Sequence, residues 1–158
     1  MVKILHKTEL TNFNKKQLLQ LWNAEYPKNL SYSTLQDFET YLNALEHPMH
    51  ILLLNKESAI VGWAFSFDRE AAKWFGILLD AKYQGQGFGK QLLTELKKTT
   101  RELNGWVIDH DLNLKANGSI YHSPLPFYIK SGFVPQVNER LELDTISAVK
   151  INWKGITF

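Results

Sequence analysis

The chain has no cysteine among its 158 residues, which excludes disulfides, thiolate metal sites and a thiol nucleophile. No apolar run approaches the ~18 residues of a membrane span. The N-terminus, Met1-Val2-Lys3-Ile4-Leu5-His6-Lys7, has no long apolar segment before charge returns, so no signal peptide is expected. A surplus of one charge is also missing. The net charge of +2 is too small to argue for nucleic acid, and the densest basic cluster, Lys97-Lys98 with Arg101, reads as a solvated helix face. The expectation is a cytoplasmic protein that binds neither nucleic acid nor membrane, as a monomer or homodimer. With no repeat, low-complexity tract or linker, and 44% apolar against 22% charged residues, a single globular domain over residues 1–158 is expected.

What the chain does have is three of its nine glycines clustered in one short stretch, Gln84-Gly85-Gln86-Gly87-Phe88-Gly89-Lys90. It lies between an apolar run, Trp74 to Leu79, and an amphipathic run from Phe88 to Leu103. Strand, glycine turn and helix in that order make an anion site. The turn can approach a ligand without a Cβ, and the first helix amides point outward at the positive end of the dipole. A phosphate-binding Walker A loop is excluded, because the position five before Gly89 is Gln84 and Lys90 is followed by Gln91. A dinucleotide fingerprint is excluded because Lys90 stands where its third glycine belongs.

Along the chain, Val2–Leu5 is a short strand candidate. Asn14-Lys15-Lys16-Gln17 reads as a capping box opening a helix that carries Leu18, Leu21, Trp22 and Glu25 on one face and stops near Tyr26-Pro27. Ser33–Gln36 reads as a second box, before Leu35, Phe38, Leu42 and Leu45 at helical spacing. Runs 50–55, 59–67 and 72–79 form an antiparallel meander. The helix after the glycine loop is expected to bury Phe88, Leu92, Leu93, Leu96 and Leu103 and to end at Asn104-Gly105. A strand at 106–109 then lies parallel to 72–79, followed by an irregular segment 111–123, a short helix around Tyr128, and a closing strand pair at 139–143 and 147–153.

Gln84-x-x-Gly87-x-Gly89 resembles the acyl-CoA pyrophosphate loop of the GCN5-related N-acetyltransferase (GNAT) superfamily. Phe127-Tyr128-x-Lys130-x-Gly132-Phe133 resembles that family's tyrosine helix. The element order matches over essentially the whole chain, with the specific motifs confined to residues 74–133. The resemblance implies an α/β (α+β) fold: a mixed, mostly antiparallel sheet flanked by helices, with a parallel strand pair around the cofactor loop. It implies an acetyl-CoA-dependent N-acetyltransferase in which an acceptor primary amine attacks directly, on a small molecule or a peptide. Gln84, Gly85, Gln86, Gly87, Phe88, Gly89 and Lys90 would cradle the pyrophosphate. Ile77, Leu78 and Leu79 would offer backbone groups to the pantetheine arm, and Tyr128 would act as general acid to the CoA thiolate. No metal is expected. The family's asparagine beyond the strand at 106–109 has two candidates, Asn113 and Asn117, in a longer segment than usual.

The base stays open among Asp109, His110, Asp111, Asp68 and Glu70, and the acceptor is not named. Trp22, Tyr26, Tyr32, Trp63, Phe65 and Trp74 are candidates for its walls, with core packing the commoner use of such rings. A non-catalytic acyl-CoA-binding sensor is the alternative. It would keep the loop without needing Tyr128. A partner-binding domain in which the glycines only turn the chain would not require the loop to stay intact.

Overall fold

The computed structural model describes residues 1–155; residues 156–158 of the expected domain lie outside it. The chain opens with β1 (Lys3–Lys7), α1 (Asn12–Glu25) and α2 (Leu35–Asn43). The α1 cap is Thr11, whose hydroxyl accepts from the Asn14 amide while the Asn14 side chain accepts from the Thr11 amide. Asn14 is thus the third helical residue and not the cap. The capping box lies three positions earlier than the one expected at Asn14, and Gln17 instead accepts from the Ile60 amide. Thr34 caps α2 by accepting from Asp37.

The meander follows as β2 (Glu46–Leu54), β3 (Ile60–Arg69) and β4 (Ala72–Leu79). The β3–β4 hairpin turns on Glu70 and Ala71, both at positive φ. Then come α3 (Phe88–Lys97), β5 (Glu102–Val107), α4 (Leu125–Lys130), β6 (Val134–Leu143) and β7 (Ile146–Lys154). The sheet order is β1-β2-β3-β4-β5-β7-β6, antiparallel except for β4–β5. The expected mixed sheet with one parallel pair is therefore present.

The expected helix end is corrected. α3 stops at Lys97, and Leu103, Asn104 and Gly105 lie inside β5. Thr99 and Thr100 break the helix by turning their hydroxyls onto the backbone, Thr99 to the Leu96 carbonyl and Thr100 to that of Glu102. Gly105 is in the strand because the Phe75 ring covers it; a Cβ there would sit 2.8 Å from that ring. The closing strands are also longer than their alternating cores.

Two apolar clusters cover the two faces of the sheet. One joins α3 and α4 through Leu92, Leu93, Leu96, Tyr128 and Phe133. The other joins α1 and α2 through Leu18, Trp22, Phe38 and Leu42, with Trp63, Phe65 and Trp74. Among the described residues no helix is long and apolar enough to cross a membrane.

Candidate active site

β4 and β5 pair at a single position, Trp74 with Asn104, and then diverge. Asn104 marks that point: its buried amide donates to the Lys73 carbonyl and accepts from Asn152. Beyond it the edge of β4 is released from the ladder, although β4 stays paired to β3 as far as Leu79. A cavity of about 740 Å³ occupies the opening. Every residue from Trp74 to Leu79 on β4, and from Gly105 to Val107 on β5 with Ile108 just beyond it, lines it.

The glycine loop forms one end. Gly85 and Gly87 have φ of 76° and 88°, the left-handed region that favours glycine, and a Cβ on either would meet open space. Among the described residues the amides of Gly85 through Lys90 find no hydrogen-bond acceptor; the first helical bond is Gln91 to the Gly87 carbonyl. That row of free donors at the start of α3 suits an anion. Gln84, Gly85, Gly87, Gly89 and Lys90 line the cavity, as do Ile77, Leu78 and Leu79. Gln86 and Phe88 do not: the Gln86 amide donates to the Lys82 carbonyl and Phe88 packs near Tyr83. Gln84 is turned back onto the Leu79 carbonyl, which ties loop to strand.

The two sequence motifs meet here. The Phe127 ring lies over Gly89, where a Cβ would be 3.5 Å from it, and Tyr128 faces the cavity from α4. Phe75, Phe127 and Phe133 surround the Tyr128 ring edge-on. Its hydroxyl makes no hydrogen bond among the described residues. Burial, and then the neighbouring Tyr121, push this phenol well above its ordinary pKa, so it is held as the protonated donor.

The opposite wall adds further phenols, of which Tyr26 was a candidate from the sequence and Tyr41 and Tyr121 were not. Tyr26, Tyr41 and Tyr121 line the cavity with Tyr128. Burial raises Tyr121 to about 12, and it raises Tyr26 too, helped by Tyr121, Tyr41 and Tyr128. The segment 109–124 bears Tyr121 and crosses to the end of α1. Lys28 donates to the Leu114 carbonyl. Lys115 Nζ reaches Glu25 Oε1 at 2.8 Å, and Glu25 Oε2 accepts from the Ala81 amide. Of the aromatics anticipated for this wall, Trp22, Tyr26, Phe65 and Trp74 line the cavity. Trp63 is instead fully buried and donates to His50, and Tyr32 packs against Trp22.

None of the five candidate bases lines the cavity. Asp109 makes a two-pronged ion pair with Arg140, at 2.9 and 3.1 Å, which lowers its pKa. Asp111 accepts from the Ser123 amide and faces His122, and both lower its pKa. Asp68 is held down by Lys73. His110 accepts from the Leu112 amide, and Glu70 is a turn residue. Asn113 and Asn117 are also outside the cavity lining, Asn117 being turned onto Ser119. No cluster of three or more acidic or histidine side chains among the described residues could hold a metal.

No curated protein matches the sequence. Solved structures do match the fold. An aminoglycoside 6'-N-acetyltransferase complexed with coenzyme A superposes with a TM-score of 0.74 at 14% identity, over 99% of this chain and 98% of that one. An acyl-CoA N-acyltransferase from Pseudomonas aeruginosa gives 0.71 at 17%, over 97% and 99%. A phosphinothricin acetyltransferase from Sinorhizobium meliloti in complex with AcCoA gives 0.67 at 13%, over 96% and 89%. The model of the acetyltransferase (GNAT) family matches residues 15–133, from α1 through the Tyr128 segment, and the chain belongs to that family.

Proposed function

We propose that the protein, as one acyltransferase domain over residues 1–158, transfers the acetyl group of acetyl-CoA to a primary amine of a small molecule or peptide. The observation that carries this is the meeting of three features in one cavity: the free amides of the glycine loop, the released edge of β4, and the Tyr128 hydroxyl.

Each has a role in that reaction. The amides of Gly85, Gln86, Gly87, Phe88, Gly89 and Lys90 receive the pyrophosphate; for Gln86 and Phe88 the backbone serves, since their side chains turn elsewhere, and Gln84, whose amide donates to Ala81 and side chain to Leu79, anchors the loop beside it. The pantetheine arm runs along Ile77, Leu78 and Leu79, of which Ile77 and Leu79 turn their backbone groups away from β3 toward the released edge, and one strand amide polarises the thioester carbonyl in a largely apolar cavity, where such a contact is strong. The amine lone pair forms the C–N bond, the C–S bond breaks, and its electron pair leaves on sulfur. The products are an acetamide and free CoA thiol.

Tyr128 stands ready with a proton. Because its pKa is raised, the phenol holds that proton more tightly than a thiol of pKa ~8.5 does. Its contribution is therefore a hydrogen bond to the sulfur as charge develops there, with full transfer only where the dry cavity raises the thiolate as well. A sensor without catalysis would not need that hydroxyl in the cavity.

Thermal shift with acetyl-CoA, followed by free-thiol release across an amine panel, tests the proposal. At 100 times its Kd a ligand stabilises by about 2.7 kcal/mol, or about 5–10 °C in Tm for a chain of this size. Absence of a shift at saturation would end the acyl-CoA reading. A shift without thiol release on any amine would leave only binding.

A further inference from the structure

The acetyl-transfer reading leaves the acceptor unnamed, and the wall opposite the glycine loop carries charges and a donor that narrow it. Trp74 is 5% exposed and lines the cavity, and its indole Nε1 is buried with no hydrogen-bond partner among the described residues. A buried donor without an acceptor is costly. The Arg69 guanidinium stands 5.4 Å from the Trp74 ring centre and 5.0 Å from that of Phe67, and it too lines the cavity. It has no carboxylate partner among the described residues, unlike Arg140, which has two.

Negative charge on this wall is already used. Among the described residues Glu25 is the one carboxylate lining the cavity, and it is engaged by Lys115 and the Ala81 amide. A polycationic acceptor would therefore find no free carboxylate to meet its second charge. It would meet Arg69 instead. Trp22, Phe67, Trp74 and Trp106 give the lining an aromatic face.

We propose that the acceptor is an aromatic α-amino acid: its ring packs on the aromatic wall and its carboxylate is received by Arg69 and the Trp74 indole N–H. The inference rests on the acetyl-transfer reading and deepens it. The product is the N-acetyl amino acid and free CoA thiol.

The test is thiol release with acetyl-CoA on L-phenylalanine and L-tryptophan, on phenethylamine and tryptamine, which lack only the carboxylate, and on spermidine and kanamycin. The amino acids should exceed their decarboxylated counterparts in kcat/KM by about tenfold or more, the lower end of what a charge-assisted hydrogen bond contributes. Arg69→Gln should bring that ratio close to one, mainly through KM for the amino acid, and Trp74→Phe should lower it part of the way. The acetyl-CoA thermal shift of each variant reports whether it is folded. Preference for spermidine, kanamycin or the decarboxylated amines, or a ratio unmoved by Arg69→Gln, overturns the inference and leaves acetyl transfer standing. A thermal shift with no thiol release on any of the six refutes transfer to small amines and the inference with it.

Discussion

Replacing Lys115 with methionine should destabilise the protein by about 3 kcal/mol, because it leaves one half of a buried ion pair alone. Lys115 Nζ lies 2.8 Å from Glu25 Oε1, with the two side chains only 14% and 10% exposed. At an effective dielectric of about 20 the gross attraction at that separation is ~6 kcal/mol. Desolvation of each ion opposes it by several kcal/mol, so the pair as a unit sits near balance. Removing one partner is different, because the other charge stays buried alone at a cost of about 3–5 kcal/mol. Glu25 keeps the Ala81 amide as a donor, which places the expectation at the low end.

The assay is urea unfolding at neutral pH. For an m-value of about 2 kcal/mol/M, Lys115→Met should lower the midpoint by ~1.5 M. The double variant Glu25→Gln/Lys115→Met removes both charges and should return to within about 1 kcal/mol of the parent, as pairs replaced together commonly do. Glu25 ends α1, Lys115 belongs to the crossing segment and Ala81 leads into the glycine loop. The single variant should therefore also weaken acetyl-CoA binding, with the double variant restoring most of it. If the single and double variants are equally stable, the two charges are not coupled and the pair does not hold the cavity walls together.

Tyr128→Phe should lower turnover by about tenfold or more while leaving acetyl-CoA affinity near that of the parent, since the ring stays packed and only the proton donor is lost; if thiol release is unchanged, the hydroxyl has no part in the chemistry. Gly87→Val should weaken acetyl-CoA binding about tenfold or more, because a β-branched residue is forced to a φ of 88° and its side chain enters the open space beside the free amides. Unaltered isothermal titration would take the loop out of the site. His50 is buried, accepts from the Trp63 indole, and has its pKa lowered to about 4 by desolvation. Below pH 6.5 the unfolded chain takes up a proton that the folded chain refuses, so stability present above 6.5 is lost as pH falls toward 4, by about 2 kcal/mol between pH 7 and 5. His50→Gln keeps an acceptor for Trp63 and should flatten that part of the profile; an identical pH dependence in the variant would assign the loss to other groups.

What could be read in the sequence was what depends on near neighbours in the chain. The glycine loop is legible because a turn at positive φ requires residues of that type at Gly85 and Gly87. The α4 segment is legible for the same reason, with Gly132 at φ 93° after Tyr128. The opposite wall was legible only as a set of aromatic candidates, of which Trp22, Tyr26, Phe65 and Trp74 line the cavity, with Glu25 as a carboxylate on the buried face of α1. Its charges were not: Lys115 meets Glu25 across 90 positions, and Arg69 and Tyr121 join Trp74 only once the sheet is assembled, so no spacing rule connects them.

The misplaced end of α3 concerns the geometry of the site itself. Asn104-Gly105 has the composition of a helix cap, and Leu103 continues the helical spacing of Leu92 and Leu96, so local rules favour a longer helix. Tertiary contacts decide otherwise: Gly105 leaves room for the Phe75 ring, and the Asn104 amide takes the Lys73 carbonyl of β4. A side chain that occupies a backbone carbonyl at the only β4–β5 pairing position fixes where the parallel ladder stops. The strand edge that opens onto the cavity begins at that point. Asn104, a helix cap by composition, is thus the residue that sets where β4 becomes free, a role that exists only once β4 is in place beside it.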